Sequence, residues 1–141
     1  MLTTIIAGVT VFVIGQFILK LVLEPVVSYR ESLGSISAFF LQNRAAITNF
    51  NATKDMQEEL RVLIATVLAK KEAVPAYSVV SQLLFLISDR DLINGCQVLN
   101  LVAYEMNSQT AMKRELEGSI SLERELKKAG SLLKIRVDFS D

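Results

Sequence analysis

Histidine is absent from these 141 residues, and so is tryptophan. Without imidazole the chain lacks the side chain that most often serves as general base or transition-metal ligand at neutral pH. Cys96 is the one cysteine. It permits no internal disulfide, in keeping with a reducing compartment. With no histidine to activate it, and on the apolar face of a helix, it reads as packing rather than as a nucleophile. The six glycines are scattered and form neither a G-x-G-x-x-G nor a G-x-x-x-x-G-K-[ST] phosphate cradle. Asp89 and Asp91 supply fewer oxygens than a hard cation needs and suit a helix start better. Fifteen Lys and Arg balance fifteen Asp and Glu, so no global field draws nucleic acid. Nor is there a juxtamembrane run of roughly four to eight cations of the kind that holds anionic headgroups. The expectation is no catalytic residue, no cofactor, no metal, no nucleic acid and no enzymatic activity.

What the chain does have is one long apolar run over residues 2–23, LTTIIAGVTVFVIGQFILKLVL, with no charge before Lys20. A helix of roughly 20 such residues crosses a bilayer core. No basic residue precedes the run and no A-x-A follows it, which argues against a cleaved signal peptide and for a retained anchor. Lys20 is compatible with a span because its stem can carry the ammonium to the headgroups. Lys20 and Arg30 sit at or just beyond the C-terminal end of the run. By the positive-inside rule they place residues 24–141 in the cytoplasm. Within the run, Thr4, Gly8, Val11 and Gly15 recur at three- and four-residue steps. They form a small-residue face of the kind that lets membrane helices approach, and the Gln16 amide beside it needs a partner in hydrocarbon. Glu24 and Pro25 follow, and Pro25 is expected to kink or interrupt the helix.

Residues 24–141 read as one all-α domain, a bundle of about five helices. Val26, Tyr29, Leu33, Ile36, Phe40, Asn43, Ile47 and Phe50 form the seam of the first, and Gly34 with Ser32, Ser35 and Ser37 narrows one side for a neighbour's approach. Asn49, Asn51 and Thr53 are turn or N-cap candidates before a helix over residues 53–72, whose stripe is Met56, Leu60, Leu63, Ile64, Val67 and Leu68. After a turn at Pro75, residues 76–87 read as a short, nearly all-apolar central core helix, with a β-strand as the local alternative. Ser88 and Asp89 are N-cap candidates for a helix over 89–107, with Leu92, Ile93, Cys96, Leu99, Val102, Ala103 and Met106 on one face. A charged helix over 109–128 follows, with a break at Gly118-Ser119, a Glu123/Lys127 pair and a stop at Gly130. The tail SLLKIRVDFS alternates like a strand without a partner. It packs as an extended tail or docks on another chain.

The stretches FILKLVLEPVVSYRESLGSI, VPAYSVVSQL and SDRDLINGCQVLNLVA, within residues 17–108, resemble a family of small bacterial single-pass membrane proteins. There an N-terminal transmembrane helix leads through a Leu-Glu-Pro element, here residues 23–25, into a helical cytosolic domain. The resemblance carries Tyr29, Gly34 and the helix over 89–101. It implies a bacterial inner-membrane protein and assigns no chemistry.

These features point to a non-catalytic assembly or adaptor subunit. Its first helix would meet the lipid bilayer, a second copy of itself or another membrane protein, and its bundle would dock a cytosolic protein. The alternative is an oligomerising effector whose first helices cluster into a pore, with Thr4, Thr10 and Gln16 as polar lining.

Overall fold

From Leu2 to Thr48 Pro25 is the strongest helix breaker, yet the chain is helical over that whole stretch. The computed structural model describes residues 1–107 and 118–139. The long helix has three parts: α1, Leu2–Ile18; a π-helical turn, Leu19–Leu23; and α2, Glu24–Thr48. Pro25 has no N–H to donate one turn back. A wider turn precedes it, in which the Glu24 N–H donates to the Leu19 carbonyl, five residues earlier. The expected interruption is therefore a local widening of a continuous helix. Burial marks the boundary instead: α1 has no buried residue, Val22 is half-buried, and Val26 belongs to the core.

The remaining helices are α3, Lys54–Glu72; α4, Tyr77–Leu83; α5, Asp89–Glu105; and α6, Gly118–Leu133. Among the described residues there is no strand, and an isolated bridge joins Asn51 to Asn107. The protein is all-α, with one long apolar N-terminal helix and a helical bundle. Two expected caps are in place. Thr53 Oγ1 accepts the Met56 N–H at 3.2 Å, and Ser88 Oγ accepts the Asp91 N–H at 3.1 Å.

The C-terminal ends were not legible in the same way. Phe50, Phe85 and Lys134 take left-handed backbone with φ of 56°, 52° and 50°. Each closes a helix by a six-to-one bond: Asn51 N–H to the Ala46 carbonyl at 2.8 Å, Leu86 to Ser81 at 2.8 Å, and Ile135 to Gly130 at 3.0 Å. That is the geometry glycine usually provides. Gly130 is thus not the stop of α6, which runs on to Leu133. It is needed for the chain that returns past it, because a Cβ there would lie 3.1 Å from the Ile135 carbonyl oxygen and from Val137 Cγ2.

The α2 seam buries Val26, Tyr29, Leu33, Ile36, Phe40 and Ile47 as its spacing predicts, while Asn43 and Phe50 are half-buried. α5 packs on both α6 and α3, and α2 packs on α3 and α6, so the four long helices close a ring around the core. The segment expected to be the central core helix is the two-turn α4 at the margin. Only Tyr77, Val80 and Ser81 of it are buried, while Val79, Leu83 and the following Phe85 are 64%, 74% and 86% exposed. Seven residues present one narrow face inward, so apolar content alone did not decide its place. Ile93 is likewise exposed rather than on the buried face of α5. Gly34 meets no atom within 4 Å of its Cβ position, so within the described structure the expected close neighbour is not there.

Residues 109–117, the start of the expected charged helix, lie outside the described residues. The expected break at Gly118-Ser119 falls in the first turn of α6. Glu123 and Lys127 pair at 3.6 Å. The tail after Leu133 pairs as no strand and packs on this chain's own α2. Ser37 Oγ donates to the Arg136 carbonyl at 2.6 Å, and the Arg44 guanidinium donates to the Val137 carbonyl at 3.0 Å.

Candidate functional site

Two surfaces need explaining, the bare face of α1 and the region where α2 leaves it. On α1 every residue is exposed, and an 18-residue window of mean hydropathy 2.3 is 0% buried. At 100° per residue, Thr4, Gly8, Val11 and Gly15 fall within an arc of about 60°. Among the described residues no atom beyond the helix's own backbone comes within 4 Å of a Cβ built on Gly8 or Gly15, so the small-residue face is open there. Gln16 is exposed beside it. Thr10 is satisfied within its own helix, its hydroxyl donating to the Ile6 carbonyl at 2.8 Å. Lys20 and Glu24 are exposed, and Pro25 is half-buried. Arg30 reaches across to donate to the Leu84 carbonyl at 3.0 Å, tying the α4–α5 turn to α2.

Behind Arg30 a buried polar knot joins three elements. The Tyr77 hydroxyl donates to the Ile87 carbonyl at 2.7 Å and lies 3.1 Å from the Tyr29 hydroxyl. One hydroxyl has one proton, so Tyr29 supplies the proton of the Tyr29–Tyr77 contact. The rings meet edge to face with centroids 5.7 Å apart. Lys71 caps the knot, 2.9 Å from Asp89 and 5.4 Å from the centre of the Tyr77 ring. Burial pushes the Tyr29 and Tyr77 phenols up. Hydrogen bonds to Asp89 and then Glu72 push Lys71 up to about 12. Burial alone raises the Cys96 thiol to about 11. Two neutral phenols, a paired ammonium and a protonated thiol hold helices together. None is poised to move a proton near neutrality.

The knot carries a pH prediction. The folded state favours the protonated forms of Tyr29, Cys96 and Lys71, so their stabilisation is complete below the unfolded values and is lost as pH rises. Cys96 goes first, between its ordinary 9.0 and about 11. Thermal midpoints should be level through neutral pH and fall from about pH 9 upward. A midpoint that falls instead between pH 6 and 8 would contradict the assignment.

Beside the knot lies an open cleft of about 380 Å³. One wall is a single stripe of α2, comprising Arg30, Leu33, Gly34 and Ser37. Phe85 and Ile87 of the α4–α5 turn form the second wall, and Lys134, Ile135 and Arg136 of the tail form the third. Three cations line it, and none of the described lining residues is acidic. Of these, the sequence singled out Arg30 for orientation and Gly34 for packing, and it gave Lys134 and Arg136 no place beside them. The alternation in KIRV placed the two cations on one side of an extended tail, yet nothing local indicated which helix they would face.

No family model matches this chain, and neither a curated protein nor a solved structure is found similar to it. Among the described residues no group of His, Cys, Asp and Glu is placed to hold a metal ion.

Proposed function

We propose that this protein is a membrane-anchored, non-catalytic assembly or adaptor subunit. α1 spans the bacterial inner membrane and residues 24–141 face the cytoplasm. α1 self-associates or binds another membrane helix through Thr4, Gly8, Val11 and Gly15. The bundle docks a protein partner, for which Val79 and Leu83 on the outer face of α4 are the apolar surface at hand. The observation that carries this reading is the bareness of α1: an apolar helix that no other part of the described chain covers. In water such a surface is unfavourable by about 25 cal/mol per Å², and lipid removes that cost.

The pore reading is weaker on geometry. Thr4, Thr10 and Gln16 are spaced six residues apart, so each step turns about 240° and the three side chains point to different thirds of the helix. Thr10 is also spent on its own backbone. A polar lumen needs one wet face, and Thr4, Thr10 and Gln16 do not share one.

The association face makes its own prediction. In membranes, cross-linking of wild type should trap an oligomer. Gly8→Leu combined with Gly15→Leu should abolish it while leaving the protein in the membrane fraction, because leucine fills the approach surface but adds apolar area. Loss of a homo-oligomer on removing residues 1–23 would agree. An oligomer unchanged by the double substitution would sink this face.

A further inference from the structure

We infer that the cleft between α2, the α4–α5 turn and the C-terminal tail binds an amphipathic anion, an alkyl phosphate. The lining is divided as such a ligand requires. Arg30, Lys134 and Arg136 supply positive charge, while Leu33, Phe85 and Ile135 supply apolar wall. All three charged residues among the described lining are cations, in a chain whose net charge is zero. Guanidinium and ammonium groups on neighbouring elements meet several phosphate oxygens at once, and such charge-assisted contacts are the stronger hydrogen bonds. The volume, about 380 Å³, lies within the usual range of small-molecule sites, roughly 300–1,000 Å³.

The cleft is held in shape from both sides. Arg30 binds the Leu84 carbonyl at 3.0 Å, and Ser37 binds the Arg136 carbonyl at 2.6 Å. Phe85 and Lys134 are both set in left-handed backbone at its rim. Phe85, at 86% exposed, has no apolar neighbour sufficient to bury it, and an alkyl chain in the cleft would be one. Gly34 offers bare backbone to the cleft with no atom within 4 Å of a Cβ there. Arg30 follows Leu23 by seven residues, about 10 Å of helix. The cleft mouth therefore opens near where a headgroup layer would end, and the ligand is a phospholipid headgroup with its upper chain or a free alkyl phosphate. The shared chemistry stands without the anchor reading. The lipid source rests on it.

The test uses the full chain in phosphatidylcholine nanodiscs, with the thermal midpoint as readout. Hexyl phosphate is the soluble probe, inorganic phosphate the head-only control, and phosphatidylglycerol added to the discs the lipid probe. Two variants empty the site without threatening the fold. Gly34→Leu fills the cleft from a helical position with open space, and Lys134→Gly removes a cation while relieving a left-handed non-glycine residue. Wild type should be stabilised by hexyl phosphate or by phosphatidylglycerol and less by inorganic phosphate, since a ligand of the folded state raises its midpoint. Both variants should melt at or above the unliganded wild type and lose the response, Lys134→Gly binding about tenfold more weakly or worse. A response to phosphatidylglycerol that hexyl phosphate does not increase identifies lipid, and a response to hexyl phosphate alone identifies a soluble ligand. No response to either probe, or equal responses in wild type and Gly34→Leu, overturns the inference. Extraction of native membranes with alkaline carbonate reads the anchor separately. Release there overturns the anchor and the lipid source, and hexyl phosphate added to the released protein still decides the cleft.

Discussion

Gly95→Val is expected to lower the stability of the bundle by about 3 kcal/mol, toward the upper end for overpacking a tight core. Gly95 lies in the middle of α5, where a Cβ would fall 2.5 Å from both Cγ and Cδ2 of Leu133, a fully buried residue of α6. The helices cannot separate cheaply. Gly130, near the end of α6, is itself closed in by Ile135 and Val137. Strain at Leu133 therefore passes into the tail that Ser37 and Arg44 hold on α2. The midpoint of chemical denaturation should fall steeply. Pairing Gly95→Val with Leu133→Ala should recover part of the loss by restoring the space. A midpoint within about 0.5 kcal/mol of wild type would mean that α5 and α6 do not meet at this residue.

Val13→Arg is expected to shift the protein from the membrane fraction to the soluble or aggregated one. Val13 lies near the middle of the apolar run and about 200° around the helix from Gly15. It therefore tests anchoring without touching the association face. Arginine at the centre of a span costs roughly 3 kcal/mol on insertion scales. That is a factor on the order of a hundred in partition. The bundle should keep its helical content and melting behaviour, because α1 buries nothing against it. Release of wild type and of Val13→Arg alike by alkaline carbonate would overturn the anchor reading. A co-ordinate loss of bundle stability would show instead that α1 packs on the domain.

The readable parts of this protein were those set by near neighbours in sequence. The apolar run, the α2 seam from Val26 to Ile47 and the caps at Thr53 and Ser88 each depend on residues within a few positions, and each is where the spacing placed it. Pro25 was legible as a disturbance but not as a π-turn, since the helix on either side absorbs a missing bond more cheaply than it breaks. α4 was misplaced because a short, nearly all-apolar stretch carries too little periodicity to say which side faces in. The stop at Lys134 was missed because a left-handed lysine has no local signature. It is tolerated there because Ile135 and Val137 gain packing beyond it.

Sequence alone determined the helical class, the position and length of the apolar helix, and the small-residue face along it. All of these follow from composition and from a period of 3.6 residues. Tertiary structure decided that α5 packs between α3 and α6, that α4 is peripheral and that Arg30, Lys134 and Arg136 line one cleft. The bonds that build that cleft join residues 54 and 99 positions apart. Contacts at such separations come from how helices close on a shared core, which no local pattern encodes.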